Sequence, residues 1–265
     1  MEKSSGVGCL CIDPCSSCCL LSLGLPYWRG DGGPGFSTRD PPTQILPSAL
    51  LTGLWEPQAV YRVHPTEMWA SGDRRCDNPP GSQENVEASI LDLHSGALSM
   101  GKKFVNIYGY YGEEMKEILT EEDFQLYRNV KRRIQQEIAR TFDLDANSLY
   151  LTKPTFFSRM NSSEAKTAHD EYWHPHIDKV TYGSFDYTSL LYLSDYSRDF
   201  GGGRFIFIDE KTNSTLEPRL GRLSFFTSGS ENLHRVEKVS WGTRYAITIS
   251  FTCNPDYSIM DPTWL

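Results

Sequence analysis

The segment His174-Pro175-His176-Ile177-Asp178 places an imidazole and a carboxylate two residues apart. Alternate residues of a strand point to the same face, so His176 and Asp178 can reach one metal ion if the segment is extended. His234, 58 positions after His176 on a predicted strand, can supply a third ligand. Two histidines and one carboxylate are typical of a non-haem Fe(II) site that leaves coordination positions open.

A rival ligand set would use His174 together with His176 and Asp178. In a regular strand these three side chains face one way but span about 13 Å of chain. Metal–ligand bonds are only about 2 Å long, so one ion could bind all three only at a bend. We therefore expect His174 to lie beside the site or at its mouth and His234 to complete the ligand set.

Arg244 follows His234 by ten residues, inside the alternating apolar segment 242–248. A buried guanidinium is costly without a partner, and its planar fork matches a carboxylate. The C5 carboxylate of 2-oxoglutarate can supply that anion while its 2-oxo acid end chelates the metal. The structural alternative is an internal ion pair between Arg244 and an Asp or Glu.

The elements that must position these side chains change in character near residue 86. Residues 1–85 are rich in Gly, Pro and Ser, which predicts a poorly ordered region. We expect helical support over residues 86–145. The apolar residues between Ile90 and Met100 suggest a broken amphipathic helix. Thr120 with Asp123 predicts a capping box that begins a helix over about 120–141.

Beyond residue 146 the apolar residues alternate with a period of two. This pattern predicts strands at 149–157, 187–193, 204–208, 222–227, 233–239 and 244–252. The run Gly201-Gly202-Gly203 predicts a tight turn between strands. Short strands after a helical part predict an α+β fold, in which helices pack on one side of a sandwich or barrel at residues 146–256.

Composition limits the function further. The chain has 265 residues and a formal net charge of −8, and an acidic surface argues against binding nucleic acid through a basic face. The sequence contains no run of 18 apolar residues, so it predicts no transmembrane helix. Five cysteines lie within the first 19 residues. They could bind a soft metal or carry acyl chains, but an unstructured reduced leader is the simplest interpretation.

The motif His176-x-Asp178, with His234 and Arg244 in a β-rich half, resembles the Fe(II)/2-oxoglutarate dioxygenases of the prolyl 4-hydroxylase type. Longer strings carry a closer resemblance within this family: Leu91-Asp92-Leu93-His94-Ser95-Gly96, Lys153-Pro154-Thr155-Phe156-Phe157-Ser158-Arg159, Gly183-Ser184-Phe185-Asp186-Tyr187-Thr188-Ser189 and Phe225-Phe226-Thr227-Ser228-Gly229-Ser230-Glu231-Asn232-Leu233-His234. The resemblance extends from about Val86 to the C-terminus. Residues 1–85 depart from it and contain no counterpart of a relative's membrane-spanning segment, so membrane association stays open.

This resemblance implies a double-stranded β-helix, or jelly-roll, with iron at one open end. The three ligands named above would bind Fe²⁺, and Arg244 would bind the C5 carboxylate of 2-oxoglutarate. Tyr192 would add its hydroxyl to the same carboxylate, although a plain core tyrosine is the alternative. Thr248, which faces inward with Arg244 by the period of two, is expected to line the co-substrate pocket.

The resemblance also implies a reaction. 2-Oxoglutarate would be decarboxylated to succinate and CO2 while an unidentified substrate is hydroxylated, with L-ascorbate as the reductant. A peptidyl side chain is the substrate expected at family level. The alternatives are a non-catalytic β-helix binding module and a metal enzyme that does not use 2-oxoglutarate.

Asn161-Ser162-Ser163 and Asn213-Ser214-Thr215 are glycosylation sequons. They are compatible with an ER lumen, and the family resemblance favours the endomembrane system. A cytoplasmic location is the alternative.

Overall fold

The computed structural model describes residues 43–46, 90–100, 103–165 and 171–263. Nearly all of the region predicted to be poorly ordered, including its early cysteines, lies outside the described residues. Among the described residues, no helix combines the length and apolar character needed to cross a membrane.

Short antiparallel strands dominate the described part of the chain. The strands are β1 Thr43–Leu46, β2 Ile90–Asp92, β3 Ala97–Met100, β4 Lys103–Asn106, β5 Tyr150–Asn161, β6 Tyr187–Tyr192, β7 Phe200–Gly202, β8 Phe205–Phe207, β9 Ser214–Leu216, β10 Leu223–Thr227, β11 His234–Val236 and β12 Val239–Thr252. The α-helices are α1 Ile107–Tyr111, α2 Glu113–Ile118, α3 Glu121–Phe142 and α4 Asp178–Tyr182.

The strands form two antiparallel sheets. In the larger sheet the order is β1-β10-β6-β12-β5-β2-β3-β4, and β7 pairs with one end of β12. The smaller sheet has the order β11-β8-β9. The 14-residue strand β12 pairs with β5 and, from Ala246 onward, also with β6. Arg244 lies opposite Met160 of β5.

Helix α3 confirms the helix predicted at about 120–141. The Thr120 side chain accepts from the Asp123 amide, and the Asp123 carboxylate accepts from the Thr120 amide, which completes the predicted capping box. Its apolar stripe packs on the larger sheet in one core with Leu91, Phe157 and Phe251. The buried residues of this stripe are Phe124, Tyr127, Val130, Ile134 and Ile138.

The broken helix predicted between Ile90 and Met100 is wrong, because these residues form the hairpin of β2 and β3. The Asp92 carboxylate accepts from the His94 amide and from the Ser95 hydroxyl. Gly96 has a φ of +69°, and a Cβ there would meet the Tyr108 ring at 2.6 Å. Local turn chemistry therefore outweighs the helical spacing of the leucines.

A second core lies between the two sheets. Larger-sheet residues Leu190, Tyr192, Phe226 and Ala246 contact smaller-sheet residues Phe205, Phe207, Leu216 and Val236. The sheet-rich antiparallel core predicted from the sequence is confirmed, and two facing sheets are consistent with a jelly-roll.

All six strands predicted after residue 146 are present with shifted bounds, whereas β7 and β9 were not predicted. The tight turn predicted at Gly201-Gly202-Gly203 is wrong in part, since the first two glycines lie in β7. Gly202 has a φ of +68°, and a Cβ there would lie 2.1 Å from the Lys238 carbonyl oxygen. The absence of side chains at these glycines allows β7 to lie close to β12.

Candidate metal centre

Main-chain hydrogen bonds hold His176 and His234 side by side. The His176 amide donates to the His234 carbonyl at 2.9 Å, and the His234 amide donates to the His176 carbonyl at 3.1 Å. These residues form an isolated antiparallel bridge, and His234 begins β11 as predicted. The two imidazole centroids consequently lie 4.4 Å apart.

Each imidazole is oriented by a carbonyl two residues earlier in the chain. Nδ1 of His176 lies 3.0 Å from the His174 carbonyl oxygen, and Nδ1 of His234 lies 2.8 Å from the Asn232 carbonyl oxygen. A carbonyl only accepts, so Nδ1 carries the proton in both rings. The unprotonated Nε2 atoms are therefore left to bind a metal.

Asp178 supplies the carboxylate from the first residue of α4. Its Oδ1 lies 3.5 Å from Nε2 of His176 and 3.6 Å from Nε2 of His234. The prediction that His176 and Asp178 share one face of a strand is wrong, because the chain turns into a helix between them. The predicted convergence of the three side chains is present, and their ligand atoms lie within 4.8 Å of one another.

This triangle is a suitable size and chemistry for one first-row transition metal ion. The side chains of Asp178 and His234 are only 5% and 3% exposed, whereas that of His176 is 33% exposed and faces the opening. Two imidazole nitrogens and one carboxylate oxygen on one side of an ion leave the opposite side open.

The electrostatics favour the metal-binding protonation states of His234 and Asp178. Burial lowers the pKa of His234 below its ordinary value despite the nearby Asp178. Burial, the largest single cause, acts in the same direction on His176, but Asp178 and the His174 carbonyl together outweigh it and raise that pKa. For Asp178 burial alone would raise the pKa, whereas the nearby His176 and His234 and the hydrogen bond from Thr188 lower it. An ionised carboxylate and a neutral His234 are the forms that bind metals.

Arg244 is completely buried, at 0% exposure. Its Nη1 donates to the sulfur of Met160 at 3.5 Å, but Nε and Nη2 have no hydrogen-bond partner in the described part of the chain. No carboxylate in that part pairs with it, which argues against the internal ion pair. Burial lowers the pKa of Arg244, but a guanidinium stays charged. The site therefore presents a buried cation that lacks an anion.

Tyr192 lies against this guanidinium. The Arg244 Cζ is 5.4 Å from the centre of the Tyr192 ring, and the Tyr192 hydroxyl lies 3.3 Å from Oγ of Ser224. Tyr192 belongs to the core between the sheets. Its contact with the co-substrate stays a prediction.

A cavity of about 170 Å³ connects the metal ligands with Arg244. Thr248 lines it, as predicted from the period of two. Its walls are largely apolar, formed by Ile90, Phe156, Met160, Leu190, Phe205 and Val236. An anion that entered would meet both the buried Arg244 cation and the candidate metal-binding side chains.

His174 lies outside the metal-binding group. Its Nε2 is 2.8 Å from the Glu171 carboxylate, and its side chain is 63% exposed. The group found among the described residues contains only the other three side chains, as expected.

Sequence reasoning missed several polar residues of the cavity, among them Tyr172 and Thr188. The Tyr172 hydroxyl donates to the Asn161 carbonyl at 3.3 Å and accepts from the Val239 amide at 3.0 Å, so it joins β5 to β12. The Thr188 hydroxyl donates to Oδ2 of Asp178 at 2.6 Å. Neither role has a spacing or composition signal, since both depend on tertiary contacts.

Residues 158–252 match the family model of the 2OG-Fe(II) oxygenase superfamily. The match contains all three metal-binding side chains and Arg244. The resemblance identified from the sequence is thereby confirmed.

Among curated proteins, the chain is 80% identical over 177 residues to 2-oxoglutarate and iron-dependent oxygenase domain-containing protein 3 of Xenopus tropicalis, and 71% identical over 177 residues to the human protein of that name. Each match covers 67% of this chain and 56% of the relative, so the chain spans little more than half their length. It is also 31% identical over 202 residues to human prolyl 3-hydroxylase 1, a match covering 67% of this chain and 27% of that protein.

Proposed function

We propose that this chain is an Fe(II)- and 2-oxoglutarate-dependent dioxygenase that hydroxylates a peptidyl side chain and releases succinate and CO2. One observation carries the proposal. A buried guanidinium that has no carboxylate partner among the described residues shares a cavity with a His-Asp-His triangle. A dicarboxylic 2-oxo acid satisfies both at once, because one end chelates a metal and the other end carries the missing charge.

The residues of the candidate site have separate proposed roles. His176, Asp178 and His234 would hold iron, which when bound supplies the redox chemistry with O2. Arg244 would bind the far carboxylate of 2-oxoglutarate and so fix its position relative to the metal. The apolar walls would exclude water from this pocket, which strengthens the ion pair that Arg244 makes. His176, the most exposed ligand, marks the side from which the substrate would approach.

A β-helix binding module without catalysis is the first alternative. Such a module would have no need for two imidazoles that are both oriented with Nε2 toward a carboxylate. A metal enzyme that does not use 2-oxoglutarate is the second alternative. It would leave the charge of Arg244 buried without a partner, which is costly.

The finer parts of the proposal rest on the family resemblance. A jelly-roll of the double-stranded β-helix type agrees with the two facing sheets. The printed name of the relative prolyl 3-hydroxylase 1 supports a prolyl or other peptidyl substrate. L-Ascorbate, as the reductant that maintains Fe(II), is supported by the resemblance alone.

The direct test is succinate release. The protein is incubated with Fe²⁺, 2-oxoglutarate and a peptide library, and succinate is quantified beside an Asp178→Ala control. We expect succinate that depends on both iron and Asp178, with stimulation by a subset of peptides and a mass gain of one oxygen on those peptides. Metal binding without any succinate would favour an enzyme of another kind, and absence of metal binding would favour a binding module.

A further inference from the structure

Two buried hydroxyls connect Asp178 to the larger sheet. The Thr188 hydroxyl on β6 donates to Oδ2 of Asp178 at 2.6 Å, and it lies 2.9 Å from the Ser228 hydroxyl just beyond β10. Thr188 is 3% exposed, Ser228 is 1% exposed and Asp178 is 4% exposed. The contacts are therefore shielded from competing water.

Proton counting fixes the direction of this chain of hydrogen bonds. An ionised carboxylate only accepts, so the single hydroxyl proton of Thr188 points to Asp178. Thr188 must then accept in its other contact, and Ser228 must be the donor. The order is Ser228 to Thr188 to Asp178, and each bond polarises the next one toward the charge.

The main chain of Ser228 also makes hydrogen bonds close to Asp178. Its carbonyl accepts from the Lys179 amide at 2.9 Å, and its amide donates to the Asp186 carbonyl at 2.9 Å. Ser228 thus supports both the start of α4, where Asp178 lies, and the hydroxyl chain to the Asp178 side chain.

The two carboxylate oxygens of Asp178 consequently have different surroundings. Oδ2 is held by Thr188, whereas Oδ1 faces Nε2 of both histidines. We propose that Thr188, supported by Ser228, is a positioning residue that makes Asp178 a single-oxygen metal ligand and keeps a coordination position open for the co-substrate. This inference rests on the metal site of the proposed function.

The functional consequence concerns the coordination positions. If Oδ2 were released, it could also turn to the metal and occupy a position that the chelating end of 2-oxoglutarate requires. Loss of the hydroxyl would leave the Asp178 carboxylate less firmly oriented, which should weaken metal binding. Separately, the released Oδ2 would compete with 2-oxoglutarate in the metal-loaded protein. If the hydroxyl had a purely structural role, its loss in a folded variant would change neither the metal affinity nor the 2-oxoglutarate affinity.

The experiment uses Co²⁺ as an air-stable probe for the iron position. Co²⁺ dissociation constants are measured by competition with a chelator for wild type, Thr188→Val, Thr188→Ser and Ser228→Ala, followed by titration of 2-oxoglutarate into each Co²⁺-saturated protein. Two variants control for loss of a buried hydroxyl elsewhere. Thr152→Val removes a donor to the Tyr257 carbonyl, and Ser189→Ala removes a donor to the Ile249 carbonyl.

We expect Thr188→Val to weaken Co²⁺ binding about 10- to 100-fold, as loss of an outer-shell partner typically does. Ser228→Ala should show a smaller loss, and Thr188→Ser should restore binding because it retains the hydroxyl. The two controls should bind Co²⁺ like wild type. In Thr188→Val, 2-oxoglutarate should also bind the Co²⁺-loaded protein more weakly.

A folded Thr188→Val with wild-type affinity for Co²⁺ would overturn the inference. If Thr188→Val does not fold, Ser228→Ala decides between the outcomes, and an unchanged Co²⁺ affinity in that variant rejects the inference. Wild-type protein that binds no Co²⁺ would overturn the proposed function and this inference together, so the two failures are distinguishable.

Discussion

His176 and His234, 58 positions apart in the chain, exchange main-chain hydrogen bonds of 2.9 and 3.1 Å. This bridge brings the third metal ligand to the other two without using either imidazole. The side chains are then free to point both Nε2 atoms at Asp178, 3.5 and 3.6 Å from its Oδ1. Backbone pairing supplies the position, and the side chains supply the chemistry.

The first prediction separates these two contributions. His234→Ala should keep the main-chain bridge and the fold, but two remaining ligands should hold a divalent metal at least about 100-fold more weakly. The measurement is isothermal titration of Fe²⁺ without oxygen, with circular dichroism to verify folding. His174→Ala is the matched control, because this exposed histidine lies outside the ligand set. Stoichiometric tight iron binding by His234→Ala would refute the ligand assignment.

The second prediction concerns the charge of Arg244. Arg244→Ala should weaken 2-oxoglutarate binding while iron binding stays close to wild type, because the iron ligands lie on other residues. Loss of one partner from a forked, desolvated pair costs about 2–5 kcal/mol, which is roughly 30-fold to several-thousand-fold in affinity. Arg244→Lys should be intermediate, since it keeps the charge but loses the fork.

Anaerobic titration of 2-oxoglutarate into the iron-loaded variants measures this effect. The structural alternative predicts a different pattern, in which Arg244→Ala lowers the melting temperature and iron binding together. A folded Arg244→Ala protein with an unchanged 2-oxoglutarate dissociation constant would be incompatible with the assigned role.

The third prediction concerns a pH-dependent ion pair in the region that carries His234. Nε and Nη2 of Arg204 contact the two carboxylate oxygens of Glu237 at 2.7 and 2.8 Å. The hydrogen bonds from Arg204 lower the pKa of Glu237 below its ordinary value. A lowered folded-state pKa contributes stability that is present above the unfolded pKa and disappears as the pH falls through the folded one.

Glu237→Gln should therefore lower the free energy of unfolding at pH 7 by about 0.5–1 kcal/mol, because both side chains are partly exposed. The difference from wild type should decrease as the pH falls below the ordinary pKa of a glutamate. Urea unfolding from pH 7 to pH 3 measures this, and Glu210→Gln, at an exposed position, is the control. A wild-type advantage that does not decrease between pH 7 and pH 3 would contradict the assignment to this ion pair.

The fourth prediction tests the support of the larger sheet. Thr120→Ala removes the hydroxyl that caps α3 and should reduce the free energy of unfolding by about 1 kcal/mol. Thr120→Ser should recover most of that loss because it retains the capping oxygen. Iron affinity should not change, since α3 packs on the side of the sheet that forms the first core. Equal stabilities for Thr120→Ala and wild type would show that the capping box contributes little.

The sequence predicted the strongly periodic elements well. Helix α3 and the six main strands after residue 146 have regular apolar spacing. The group of three side chains that could hold a metal ion was predicted from residue type and order. The predictions were wrong where local turn chemistry or tertiary contacts determine the secondary structure. The hairpin of β2 and β3 depends on the turn that follows Asp92. The helix that begins at Asp178 interrupts an apparent strand pattern.

Some features of the site have no local signal at all. The contact of Arg244 with the Met160 sulfur joins positions 84 residues apart, and the bond from Thr188 to Asp178 joins two elements through the fold. Residue types alone cannot show that no carboxylate among the described residues pairs with the Arg244 guanidinium. Only the packed structure shows this property, and it carries the proposed function.

The most direct measurement is anaerobic binding of 2-oxoglutarate to wild-type protein with and without stoichiometric Fe²⁺. If the triangle of His176, Asp178 and His234 and the guanidinium of Arg244 act together on one molecule, one 2-oxoglutarate should bind per iron. Binding should be strongly weakened when iron is removed or when Asp178 is replaced by Ala. Iron-loaded protein that fails to bind 2-oxoglutarate, or binding that is equally tight without iron, would contradict the account.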